Sequence, residues 1–161
     1  MRLSVIAIGL LAAASLLAGC GEGGAEEGAQ LSVYVSGPLS GPEAERGHRR
    51  CDEAWETARI EHESGDHWLR VICLDAAGPG GKWTLARVGA NARRATEDSA
   101  TVAYIGEPDP AARRQSRPIV EAAGVAEFGA AGGRQAIEEV FDALREDDSS
   151  DPRAAVFDAL G

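Results

Sequence analysis

Basic residues are scarce in this sequence. It contains 16 Lys and Arg against 26 Asp and Glu, which gives a formal net charge of −10 at pH 7. Loss of Arg2 with a cleaved leader would make the charge −10 − 1 = −11. Proteins that bind nucleic acids or patches of anionic lipid carry an excess of positive charge. We therefore expect neither kind of partner, and in particular no nucleic acid.

Patterns typical of catalysis are also missing. The glycine-rich stretch 76–82 lacks the lysine and hydroxyl of a phosphate-binding P-loop at their usual spacing. No Ser, His and Asp follow one another on a strand-to-helix elbow, and His62 and His67 match no metal site whose mechanism is known. Acidic pairs such as Glu107 and Asp109 are better explained by helix capping and solvation. We expect no enzyme activity, no catalytic residue, no metal and no cofactor.

The chain is too short for a two-lobed protein. Without residues 1–19 it has 161 − 19 = 142 residues, and without residues 20–30 as well it has 161 − 30 = 131. That length suits one modest domain. Residues 21–30 hold no large apolar side chain, which is typical of a flexible acidic tether. The sequence therefore predicts a leader over 1–19, a tether over 20–30 and a single domain over 31–161.

The first twenty residues have the pattern of an export signal. Residues 3–16 form an uncharged apolar run after Arg2, too short for a comfortable membrane span. Residues 17–20 (LAGC) look like the lipobox of bacterial lipoproteins, in which the Cys is acylated and becomes the first residue. An ordinary signal peptide that ends in Cys and a plain anchor helix are the alternatives. We expect lipidation at Cys20, and an extracytoplasmic protein anchored to the lipid bilayer of the bacterial cell membrane.

Two further cysteines remain, Cys51 and Cys73. An extracytoplasmic compartment permits disulfides. Gly47, Cys51, Ala54 and Ala58 recur at the intervals of three and four that predict the small-residue face of a first helix. Cys73 lies in the next predicted strand, so the two cysteines can come into contact. The sequence leaves open a Cys51–Cys73 disulfide and two buried free thiols.

Hydrophobic patterning from residue 31 onward predicts an α/β fold. Strand-like runs occupy residues 31–35, 68–75, 101–106 and 125–128. Helical periodicity occupies 83–96, 111–123 and 134–146, and Asp151 precedes a last short helix. Ser40 and Glu43 stand at capping-box spacing before the first helix, and Asp109 precedes Pro110 as an N-cap. We expect an open parallel sheet of about four strands.

Several of these segments together resemble a known family. Residues 33–42 (VYVSGPLSGP), the strand ending in Asp75, residues 91–95 (NARRA) and residues 103–106 (AYIG) resemble the first lobe of type 1 periplasmic binding proteins. The nearest kin are the branched-chain amino acid receptors of ABC importers, many of which are lipoproteins. Residues 133–144 and 151–160 resemble the helix pair that such receptors carry late in sequence.

The resemblance implies one flavodoxin-like or Rossmann-like lobe, with helices on both faces of the sheet. The second lobe would be missing between Phe128 and Arg134, so that 31–128 is the first-lobe segment and 134–161 the returning helices. The family grips its ligand after the strands that match 101–106 and 125–128, with help from the loop that matches 36–46. The ligand-binding candidates carried over are Ser36, Leu39, Ser40, Arg46, Glu107, Asp109 and Ala130.

The candidate residues depart from the family pattern. Glu107 and Asp109 stand where kin usually have serine and glycine, and we expect them to repel a ligand carboxylate. Residues 129–132 lack a hydroxyl. The resulting prediction is a lipoprotein derived from an ABC-importer solute-binding protein, with weakened or lost small-ligand binding. The alternative is a working amino acid receptor of an ABC transporter, which would act as a dimer across its exposed cleft face and deliver to a permease.

Overall fold

The computed structural model describes residues 30–63, 67–129, 132–146 and 150–160. Four parallel strands form one sheet in the order β2-β1-β3-β4. Five helices connect or follow the strands. In chain order the elements are β1 (Gln30–Gly37), α1 (Ala44–His62), β2 (Trp68–Asp75), α2 (Leu85–Glu97), β3 (Thr101–Ile105), α3 (Pro110–Glu121), β4 (Ala126–Phe128), α4 (Gly133–Glu146) and α5 (Pro152–Leu160).

Helices cover both faces of the sheet, because side chains that alternate along each strand bury apolar groups on either side. Val33 and Val35 point into a core shared with α1, α4 and α5. Tyr34 and Tyr104 point into a second core with α2 and α3. The predicted fold class, an open parallel sheet of about four strands with helices on both faces, is confirmed.

The last two helices complete the first of these cores. Ile137, Val140 and Phe141 of α4 and Val156 of α5 are buried. The start of α4 lies so close to α1 that a Cβ atom at Gly133 would collide with the carbonyl oxygen of Arg50. Both helices are therefore packed on the lobe rather than loosely attached.

Element boundaries differ from the prediction in places. β1 continues to Gly37, so Ser36 belongs to the strand. The predicted capping box of Ser40 and Glu43 is wrong, since Glu43 is the N-cap residue and makes no side-chain capping bond. Thr84 caps α2, which begins two residues later than predicted. The predicted cap at Asp109 is confirmed, since its Oδ1 accepts a hydrogen bond of 2.7 Å from the N–H of Ala111.

Cys51 of α1 and Cys73 of β2 are joined in the structure as a disulfide, with Cα atoms 6.1 Å apart. On the same helix Gly47, Ala54 and Ala58 are buried, and these small side chains let α1 lie close to the sheet. Cys20, the leader 1–19 and the tether up to residue 29 lie outside the described residues. Within the described ranges, no helix combines the length and the apolarity that a membrane crossing requires.

Candidate functional site

All four strands run in the same direction, so their carboxyl ends meet at one edge of the sheet. Ligands of open α/β sheets bind beyond this edge. The loop after β1 is held there by close packing on α1, since a Cβ atom at Gly47 would collide with the carbonyl oxygen of Pro38. Only glycine at position 47 lets the helix approach so closely. The strand-end loops are therefore the place where the predicted site residues can be tested.

Asp75, the last residue of β2, fixes the loop after β1. Its carboxylate accepts hydrogen bonds from the N–H of Leu39 (2.8 Å), the N–H of Ala77 (2.8 Å) and the hydroxyl of Ser40 (3.0 Å). Partial burial alone would raise the pKa of Asp75, but these hydrogen bonds outweigh it and lower the pKa. Leu39 and Ser40, two of the predicted ligand residues, are thus committed to holding their own loop to β2.

Glu107, just after β3, is buried, with 2% of its surface exposed. Within the described residues its Oε1 has no hydrogen-bond partner. Burial raises its pKa to about 7, although the guanidinium groups of Arg50 and Arg46 act in the opposite direction. Glu107 lines a cavity of only about 30 Å³ together with Pro38 and both arginines. The carboxyl group is therefore inside the lobe.

The prediction that solvation explains Glu107 is therefore wrong. The loop that follows β3 turns the side chain inward, toward Arg50 of α1. The pKa of Arg50 is itself lowered, because burial outweighs the opposite effect of the Glu107 charge. Asp109 is half-buried and caps α3, as described above. The two acidic residues do not form one exposed negative pair at the strand ends.

The remaining predicted residues divide between the edge and the interior. Arg46 lies at the edge, where it forms an exposed ion pair of 2.9 Å with Glu43 and borders the Glu107 cavity. Ser36 is buried between β1 and α2, where it accepts a hydrogen bond of 2.9 Å from the Asn91 side chain. It does not face the loops. Ala130 lies outside the described residues.

Two polar residues near the end of β4 were not singled out from the sequence. Arg113 of α3 lies across Gly129, where a Cβ atom would collide with its side chain. Glu127 of β4 accepts a hydrogen bond from Ser116, and burial raises the pKa of Glu127. The spacing of the arginines on α3 does not single out Arg113 as a site residue, because exposed arginines on a helix usually mark only a solvated face. Among the residues that the structure describes, no group of three or more His, Cys, Asp or Glu is placed to hold a metal ion.

No protein-family model matches the chain, and no curated protein does. Among solved structures, a possible leucine/isoleucine/valine-binding protein from Rhodopirellula baltica SH 1 matches with a TM-score of 0.52 and 20% identity, over 86% of this chain and 49% of its own. This chain has the fold of part of a solute-binding protein. The solute-binding protein of an R. palustris ABC transporter, solved with 4-hydroxybenzoate, matches with a TM-score of 0.48 and 20% identity over 61% of this chain and 26% of its own.

The chain spans about half of the Rhodopirellula protein and about a quarter of the R. palustris protein. The predicted resemblance to periplasmic binding proteins is confirmed at the level of the fold. At the strand ends of this chain, Asp75 holds the loop after β1 and Glu107 is buried after β3.

Proposed function

We propose that this chain is a membrane-anchored, extracytoplasmic lipoprotein whose single lobe has the solute-binding-protein fold and binds small solutes weakly or not at all. The lipid bilayer, held through acylated Cys20, is its partner. The lobe acts as an interaction or structural module at the membrane surface rather than as an enzyme.

The burial of Glu107 carries the proposal. Small-molecule sites usually occupy about 300–1,000 Å³ and enclose most of the ligand. The cavity that Glu107 lines is only about 30 Å³. A space of this size holds roughly one water molecule, so an amino acid does not fit inside it.

The single four-stranded sheet that the described residues form supports the same conclusion. This chain spans 49% of the length of the solved leucine/isoleucine/valine-binding protein that it resembles. A solute held between two lobes is enclosed from both sides, whereas one lobe leaves half of it in water. Weak contacts on one side rarely outweigh the entropy lost on binding.

One observation favours the alternative, an amino acid receptor that works as a dimer and delivers to an ABC permease. Arg113 lies over Gly129 at the end of β4 and makes no ion pair with any residue that the structure describes. A guanidinium at a strand end can bind a carboxylate in bidentate fashion, although the Arg113 charge also acts on Glu127. A second copy facing this edge would supply the missing enclosure.

Binding and anchoring are tested separately. For binding, the melting temperature of the protein is measured with each of leucine, isoleucine, valine and aromatic acids in millimolar excess. We expect no shift beyond that seen with glycine. A shift that depends on one solute and is lost in Arg113→Ala would support the receptor instead.

For anchoring, cells expressing the full chain are labelled with palmitate, and Cys20→Ser is the matched control. We expect label and membrane association in the parent chain and neither in the variant. An unlabelled chain released with residues 1–19 still attached would contradict the anchor, whatever the outcome of the binding test.

A further inference from the structure

A groove of about 410 Å³ opens at the amino end of the sheet, between α1 and the edge strand β2. It lies at the opposite end from the loops that hold Asp75 and Glu107. Trp55 of α1 and Trp68 of β2 line it and are 57% and 47% exposed. Two of the chain's three tryptophans therefore present large apolar surfaces to the outside at one place.

The groove is held in shape by its own contacts. The ring of His62 packs edge-on against Trp68, with centroids 4.3 Å apart. His62 Nδ1 also lies 3.2 Å from the carbonyl oxygen of His67. Trp68 is thus fixed at the start of β2 and stays exposed without contributing to the core, which indicates a surface that contacts something else.

The charges around the groove restrict what that contact is. Arg59 forms ion pairs with Glu56 (2.7 Å) and Glu63 (2.9 Å), and Arg70 pairs with Asp98 at 3.1 Å. The rim therefore carries no excess of positive charge to attract an anionic polymer or a strongly anionic membrane. Tryptophan beside arginine is typical of the zone between the hydrocarbon and the water of a bilayer. The combination fits zwitterionic phospholipid headgroups.

The start of the domain lies at the same place. Gln30, the first described residue, is part of the groove lining. It is ten residues after Cys20, and a fully extended chain of that length spans at most about 35 Å. An acylated Cys20 would keep the groove end of the sheet within that distance of the bilayer.

We propose that the groove of Trp55 and Trp68 is the membrane-facing surface of the protein, with both indole rings in the headgroup zone of the bilayer. This inference rests on the proposed lipid anchor. It sets the orientation of the lobe, because the strand-end loops then point away from the membrane toward solutes or partner proteins.

The third tryptophan provides an internal control. Trp83 follows the carboxyl end of β2, bridges to Ala77, and packs on Ala76, Val88 and Ala112. Eight residues of β2 separate the two ends, roughly 26 Å at the usual rise per residue. Trp83 is therefore out of reach of the headgroup zone when Trp55 and Trp68 lie in it.

The experiment uses the full-length chain, processed in cells, purified in detergent and reconstituted into phosphatidylcholine vesicles with or without brominated acyl chains. Intact mass first verifies acylation of Cys20, so that a missing anchor is recognised before any vesicle is made. Trp83→Phe keeps the groove pair, and Trp55→Phe combined with Trp68→Phe keeps only Trp83. Circular dichroism checks that both variants are folded.

We expect brominated lipid to quench the tryptophan fluorescence of the Trp83→Phe variant at least about twofold more than that of the double variant. The reason is that Trp55 and Trp68 would lie at the headgroup level, close to the brominated chains, and Trp83 would not. Equal quenching of the two, or stronger quenching of Trp83, would overturn the proposal. The proposal would also be overturned if the acylated protein sediments as a dimer and its tryptophan fluorescence is not quenched. A second copy of the chain would then occupy the groove.

Discussion

Glu107 after β3 and Arg50 on α1 line the same small cavity at the carboxyl end of the sheet, and burial shifts the pKa of each toward its neutral form. An acidic side chain that the sequence places in a loop is thus part of the lobe's interior. A single lobe with an interior carboxyl group at its strand ends should respond to pH in a characteristic way.

Stability should fall as the pH rises from 5 to 8. The pKa of Glu107 is about 7 in the folded lobe against an ordinary value of 4.5, so between these values the folded state binds more protons than the unfolded chain. The stabilisation is complete below pH 4.5 and is lost as the pH rises through 7, on the order of 3 kcal/mol in total. Urea unfolding at pH 5, 6, 7 and 8 measures the slope.

Glu107→Gln should flatten that slope, because an amide resembles the protonated carboxyl group at every pH. Burial also raises the pKa of Glu127, so a smaller slope of the same sign should remain. Glu45→Gln is the matched control, since the Glu45 side chain is 93% exposed, and it should keep the slope of the parent. A parent protein whose stability does not change from pH 5 to 8 would refute the buried position of Glu107.

Asp75→Ala should destabilise the lobe by about 3 kcal/mol, because it removes a charged acceptor and leaves the N–H groups of Leu39 and Ala77 without their partner. Ser40→Ala removes only the exposed hydroxyl that donates to the same carboxylate and should cost about 1 kcal/mol or less. Denaturant midpoints of the two variants give the comparison. Equal costs would mean that Asp75 does not organise the loop through its backbone contacts.

Most of the fold could be predicted from the sequence, because strands such as 68–75 and 101–106 are marked by apolar runs between turn residues. The strand-end site could not. Glu107 is buried by the approach of α1, which depends on Gly47 fitting against Pro38, and Gly47 lies 107 − 47 = 60 positions before Glu107. Ser40 has the spacing of a capping box but bonds instead to Asp75, a residue 35 positions later that no local pattern connects to it.

Cys51 and Cys73 should be protected from alkylation under native conditions and become reactive only after reduction. Replacing both by serine should lower the free energy of unfolding by about 3 kcal/mol, the loop-entropy value for a separation of 22 residues. Mass spectrometry after alkylation counts the free thiols. Two modified thiols in the unreduced, folded protein would show that the pair is not bonded.

The last two helices should be required for folding of the lobe. Phe141 of α4 is 1% exposed in the core beneath α1 and the sheet, and Phe141→Ala should cost about 3–5 kcal/mol. Phe157 of α5 is only half-buried, and Phe157→Ala should cost clearly less. Thermal melts of the two variants measure the two losses of stability. A mild effect at Phe141 would mean that α4 is dispensable and that the lobe is closed in another way.

The account depends most on the absence of a working small-solute site at the strand ends. Calorimetric titration of the folded protein with leucine, at concentrations up to the millimolar range, tests this directly. We predict no saturable heat, which corresponds to a Kd no tighter than about 1 mM. Saturable binding with a Kd near 1 μM, abolished by Arg113→Ala but retained in Glu45→Gln, would contradict the account and establish a solute receptor.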